Sequence, residues 1–293
     1  MSPRTGSLLV LASSVLWGTT GTAQALAPAG ASPLAVASVR IVLGGVVLLG
    51  LAARGRPQAL GRRSLGPTLV AAGSLVVAQL CFFAAVDRTG VAVGTVVSIG
   101  SAPIALGLLE WATARRRPTL RWSIATGLAV TGCVLLLTVG RSLDVESIGV
   151  GLALVVGVGY AGYILGTKLL VSDHPPHVAT AVVFAVAAAL MTPILAGVDL
   201  GWLIQPVGAV IALHLGLVTV ALAYSLFARA LVAVSASAAV TLTLAEPLTA
   251  GLLGVAVLGE RLSATAMVGV ILVLSGLTIM TTSAVERDPT PAV

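Results

Sequence analysis

Glu246, Arg40 and His214 are ionisable side chains that fall well inside long apolar runs. Such groups are costly in lipid, so they pair, face a cavity, or do chemistry. An acid at that depth can carry a coupling proton; it can also serve as a structural charge that caps or pairs across helices, for example with Arg40. Arg40 has two matching readings, as the partner of a substrate carboxylate or as a structural charge near a helix end. An imidazole such as that of His214 can exchange protons near neutral pH, or simply hydrogen-bond within a bundle. Two prolines stand beside this chemistry. Pro247 follows Glu246 and Pro103 follows Ser101-Ala102; each removes a helix hydrogen bond and offers a hinge.

Uncharged polar and aromatic residues recur at helical spacing. Ser13, Trp17, Thr20 and Gln24 form one stripe; Tyr160, Tyr163 and Thr167 form another. Gln79 shares a face with Leu75, Phe82 and Phe83, and His214 precedes Tyr224 by close to three turns. Thr95, Ser98 and Ser101 make a small-residue stripe, and Ser235, Thr241, Thr243, Glu246 and Thr249 surround Pro247. One reading collects these into a central cavity. The other lets Ser and Thr bond their own backbone and puts Trp and Tyr in an interfacial belt.

The elements that hold these residues follow from composition. The chain has 293 residues, 58% hydrophobic and 9% charged, which places it among polytopic membrane proteins. Without water in the bilayer core only helices or a closed barrel satisfy the backbone. The apolar runs lack period-two alternation, so the expectation is all-helical. Ten spans fit, near 7–27, 33–53, 66–86, 91–113, 119–140, 148–170, 177–197, 206–229, 235–257 and 263–284. Breaks are expected at Pro28 with Gly30, at Pro57, from Asp87 to Gly90, at Pro118, at Asp173 with Pro175-Pro176, and at Gly259.

The chain also contains itself. At an offset of 144 residues, Phe83-Ala84 falls on Phe227-Ala228, Ala92 on Ala236, Pro103 on Pro247, Gly107 on Gly251 and Gly132 on Gly276. With the N-terminus in the cytoplasm, twelve Lys and Arg face the cytoplasm and three the other side, with Arg40 inside a span. Both termini are then cytoplasmic. Five spans per copy force the second copy to insert upside down. The expected units are residues 1–142 and residues 143–293 with a short cytoplasmic tail, integrated into one membrane domain around a central cavity. Inverted repeats of this kind belong to secondary transporters, with solute at the repeat interface.

Other classes are set aside on the same residues. The formal charge of +6 sits in short loops and does not suggest nucleic acid. Cys81 and Cys133 lie in apolar runs and read as small hydrophobes, with no metal or disulfide role. Ala23-Gln24-Ala25 looks like a signal-cleavage site, but the run before it serves better as the first helix. Gly157 to Gly162 fits G-x-G-x-x-G without a preceding strand, so the glycines read as close helix contacts. No cofactor is expected, and no P-loop or catalytic motif is found.

On Trp17-Gly18, Pro33 with Arg40, Phe83-Ala84, Ala92, Pro103, and then Phe227-Ala228, Ala236, Glu246-Pro247 and Gly259-Glu260-Arg261, nearly the whole chain resembles the drug/metabolite transporter superfamily in its ten-helix EamA-type branch. The resemblance implies an exporter of small metabolites in the bacterial inner membrane. Within the branch the chain is most similar to amino-acid exporters, aromatic amino acids included. The expected site then has Trp17, Phe82, Phe83, Tyr160, Tyr163 and Tyr224 against the apolar part of the substrate. Thr20 joins them, and Gln79, Ser98, Ser101 and His214 offer hydrogen bonds to its ammonium and carboxylate. Export of nucleosides, sugars or drugs, a passive channel and an intramembrane enzyme stand as alternatives. Whether the protein is a monomer or a homodimer stays open.

Overall fold

A computed structural model describes residues 1–54, 61–115, 118–138, 146–258 and 264–286. Arg56, Pro57, Arg116, Arg117, Arg141, Gly259, Glu260, Arg261 and Arg287 lie outside them, as do the side chains of Phe83, Asp87, Gly90 and Ala92. The described chain is helical. It comprises α1 (Pro3–Ala25), α2 (Pro33–Ala53), α3 (Arg62–Ala114), α4 (Leu120–Thr138), α5 (Ser147–Asp173) and α6 (Pro176–Leu195). There follow α7 (Pro206–Leu213), a π-helical stretch (His214–Leu222), α8 (Ala223–Ala233), α9 (Ala236–Leu242), α10 (Ala245–Leu258) and α11 (Ala264–Glu286). Starts carry the expected chemistry. Ser2, Ser32 and Ser235 accept from backbone N–H groups of the first turns of α1, α2 and α9, and proline opens α1, α2, α6 and α7.

Among the described residues, seven helical stretches are long and apolar enough to cross a membrane, and Val97–Ala112 and Leu120–Leu135 are shorter apolar helices. With α1 these make ten passes, in which α3 supplies two, α7 to α8 one, and α9 with α10 one. The bundle turns an apolar surface outward. Leu8, Val46, Leu69, Leu108, Val210 and Ile271 are each more than half exposed, which suits lipid and not water.

The break expected from Asp87 to Gly90 is absent from the backbone pattern, because α3 is helical from Arg62 to Ala114. Packing shows that the chain nevertheless reverses there. A Cβ on Gly166 would meet Pro67 and Ala71, one on Gly159 would meet Ser74 and Ala78, and one on Gly149 would meet Arg88 and Thr89. So α5 runs antiparallel to the first limb of α3. Yet Gly157 lies against Ser101 and Ala102. One stretch of α5 meets both limbs at one level only if α3 doubles back between them. The glycines of the G-x-G-x-x-G run are thus sites of close helix approach, as small residues are in membrane bundles.

Directions of the other passes follow in the same way. Gly6 abuts Ala233 and Val234, Ser13 bonds to Ala223 and Thr19 to His214, so α1 is antiparallel to the α7–α8 pass. Ser14 reaches Leu242 and Gly18 meets Glu246 and Thr249, so α1 is parallel to α9 and α10. Gly132 meets Gly269 and Val273 while Gly276 meets Ala125 and Ala129, which sets α4 antiparallel to α11. With short connections between passes, α1 and the first limb of α3 point one way and α5 the other. The second five-pass set is inverted relative to the first.

Candidate substrate site at the centre of the bundle

The α9–α10 pass is discontinuous. Helix stops at Leu242 and restarts at Ala245, with Glu246 in the first turn of the new helix and Pro247 behind it. Carbonyls beside such a gap need donors. Neighbouring helices supply them. Ser14 Oγ of α1 lies 3.4 Å from the Leu242 carbonyl, and Cys133 Sγ of α4 lies 3.9 Å from that of Leu244. Helix α4 also holds α9 along its length. Trp122 Nε1 donates to the Ser237 carbonyl at 3.0 Å and Thr126 pairs with Thr241 at 2.9 Å. The repeat mate behaves differently, because α3 remains helical through Pro103. Pro103 and Pro247 are both buried.

A second departure from α geometry lies in the α7–α8 pass. Residues His214–Leu222 are π-helical. The i→i+5 pattern widens each turn and rephases His214 against Tyr224, so the three-turn spacing drawn for an α-helix does not apply. Such segments are frequent at functional sites. His214 Nε2 is 2.9 Å from Thr19 Oγ1.

A cluster of aromatic rings is contributed by α1, α5, α6 and α8. Trp17 lies 4.8 Å from Tyr224 and 5.3 Å from Phe227 between ring centres. Tyr163 lies 5.5 Å from Tyr224 and 6.3 Å from Phe227, and Phe184 lies 4.6 Å from Tyr224. All five are buried. The expected residues Trp17, Tyr163 and Tyr224 are therefore together. Phe184 and Phe227 were not among those expected. Phe227 is three residues past Tyr224 and shares its helix face, a signal available in the sequence. Phe184 is the single aromatic residue of an Ala- and Val-rich helix, with no polar neighbour to mark it.

Expected polar residues are buried as well. Arg40, reaching in from α2, is 9% exposed, and Gln79 and Ser98 on the two limbs of α3 are buried. The Arg40 guanidinium acts electrostatically on the Tyr224 hydroxyl. Arg40 and Glu246 lie within electrostatic reach of each other and of Tyr160. Tyr160 and Glu246 retain partial accessibility, so open space adjoins both. Several buried polar atoms lack hydrogen-bond partners, among them Trp17 Nε1, Thr20 Oγ1, Arg40 Nε and Ser98 Oγ. Buried unpaired polar atoms are rare, and each calls for an explanation. Ser101 donates to the Ser98 carbonyl at 3.2 Å and sits against Gly157. Phe82 is half-buried on the first limb of α3; the Phe83 side chain lies outside the described residues.

A separate groove of about 690 Å³ opens between the second limb of α3 and α4, lined by Ile104, Leu108, Trp111 and Trp122 among others. It contains none of the expected site residues apart from its proximity to α9 through Trp122. Among the described residues no group of three His, Cys, Asp or Glu could hold a metal ion.

Comparisons with known proteins agree with this architecture. The EamA-like transporter family matches residues 4–138 and again 147–282, spaced as the internal repeat requires. The chain is 44% identical over 274 residues to a protein of Bacillus subtilis (strain 168) named "Uncharacterized transporter YwfM", covering 94% of this chain and 93% of that one. It is 27% identical over 262 residues to the threonine/homoserine exporter RhtA of Escherichia coli (strain K12), covering 87% of this chain and 84% of the exporter. A solved crystal structure superimposes with a TM-score of 0.80 at 18% identity, over 97% of this chain and 99% of the other; at that identity the likeness is one of fold. The duplicated match and the doubled helical set make this chain a member of the EamA-like transporter family, a multi-pass membrane transporter and not an enzyme.

Proposed function

We propose that the protein exports amino acids across a bacterial inner membrane by alternating access, with hydrophobic and aromatic amino acids among its cargo. The observation that carries this reading is the central cluster. Trp17 and Arg40 from the first copy and Tyr163, Tyr224 and Glu246 from the second come together, with the indole N–H of Trp17 and Nε of Arg40 buried and unpaired. An apolar side chain would lie against the rings, while the unpaired donors would take the polar end. The two discontinuities, at 243–244 and through the π-helical stretch, give the passes places to bend. Rocking of one copy against the other would then expose the cluster to each side in turn. Hinges at Pro103 and Pro247 are part of the proposal, as are the units 1–142 and 143–293 and cytoplasmic termini. The exporter name carried by the RhtA relatives supports amino acids as cargo.

Ligands that bind the folded state raise its stability by mass action. Purified protein is therefore expected to unfold at a higher temperature with at least one free amino acid, and to be unmoved by nucleosides and sugars. A shift with nucleosides or sugars and none with amino acids overturns the reading.

A further inference from the structure

Two opposite charges stand at the centre of the bundle without touching. Arg40 comes from α2 of the first copy and Glu246 from the first turn of α10 in the second. Each acts electrostatically on the other and on Tyr160 and Tyr224. Among the described residues, however, no salt-bridge contact joins them. Arg40 is 9% exposed, and its Nε is buried without a hydrogen-bond partner. Taking two charges out of water is unfavourable, and direct contact is what offsets it. Here that contact is not made, and the partly accessible Tyr160 and Glu246 border open space.

We infer that Arg40 and Glu246 form a divided receptor for a zwitterion. The guanidinium receives the substrate α-carboxylate and the Glu246 carboxylate receives its α-ammonium. Tyr224, beside Arg40, adds a hydroxyl on the carboxylate side. Both protein charges are completed only when one molecule presents both groups at the spacing of a single α-carbon. The rings of Trp17, Tyr163 and Tyr224 then meet the side chain, so the charge pair selects the backbone and not the side chain. The arrangement spans both copies, which means that the substrate itself ties the halves together at the centre. The inference rests on the amino-acid reading above and narrows it to molecules with a free α-amino and a free α-carboxyl group.

The test compares ligands of one shape. L-threonine and L-phenylalanine, their amides and their N-acetyl derivatives are titrated against purified wild-type protein and followed by thermal stabilisation. Sites built around hydrogen-bonded polar groups reject analogues lacking one of those groups strongly. Both derivative series are expected to bind at least about tenfold more weakly than the free amino acid. Arg40→Gln should remove the discrimination against amides while leaving that against N-acetyl forms, and Glu246→Gln should do the reverse. If free amino acids bind and both derivatives bind as well, the divided receptor is overturned and the exporter reading stands. If no free amino acid binds, both fall. The wild-type comparison decides the matter even where a variant does not fold.

Discussion

Trp17 and Gln79 are the residues on which the site can be tested one at a time. Trp17 touches Tyr224 and Phe227 and carries an unpaired indole N–H. Trp17→Ala is expected to lower transport at least about tenfold with the protein still present in the membrane. Trp17→Phe keeps the ring packing and should retain part of the flux. Gln79→Ala should likewise impair flux while leaving protein abundance unchanged; undiminished transport in both Ala variants would remove them from the site. At this scale the sequence was informative where residue type is expensive in lipid. Arg40 and Glu246 stood out for that reason and Trp17 and Tyr224 by their helical spacing; Trp17 packs on Tyr224, and Arg40 acts electrostatically on Tyr224 and Glu246. Phe184 did not stand out, because a phenylalanine in an apolar helix costs nothing and leaves no signature. The pairing of Thr19 with His214 was also hidden, since it joins residues 195 apart in the chain.

Small residues at helix crossings set the element-scale expectations. Gly18 is pressed against Thr249 and the Glu246 carbonyl, so Gly18→Val forces α1 from α10. Overpacking of that kind costs about 1–3 kcal/mol, and thermal unfolding in detergent should register it. Lys168 has a role that its place in the sequence does not give. Expected on the cytoplasmic flank, its ammonium donates to the Val234 carbonyl at 2.7 Å and to that of Leu231. It thereby serves the C-terminal carbonyls of α8, which have no helical partner. Lys168→Met should destabilise the fold by about 1–3 kcal/mol; an unchanged unfolding temperature would contradict this role. Span positions were legible because twenty-residue apolar runs leave little choice. The break between α9 and α10 was only half legible. Pro247 signalled it, while the stop at Leu242 depends on donors from Ser14 and Cys133, over a hundred residues away in the chain.

For the whole molecule, the repeat and its inversion were readable because they rest on counting: the offset, the number of passes, and the distribution of Lys and Arg. How the copies interlock was not readable. The sequence does not say that α1 lies along both the α7–α8 pass and the α9–α10 pass, nor that α5 lies between the two limbs of α3. Orientation makes a direct prediction. Cysteines introduced at Ser2 and Glu286, in a background without Cys81 and Cys133, should react with an impermeant thiol reagent from the cytoplasmic face alone. Labelling of the two from opposite faces would mean an odd number of passes. The central claim is that one site shared by the two copies carries an amino acid alternately to each side. Trans-stimulation in proteoliposomes tests it most directly. Efflux of labelled amino acid should saturate with concentration and accelerate when the same unlabelled amino acid is supplied outside. Efflux by well-folded protein that rises without limit and ignores the outside solution would contradict it.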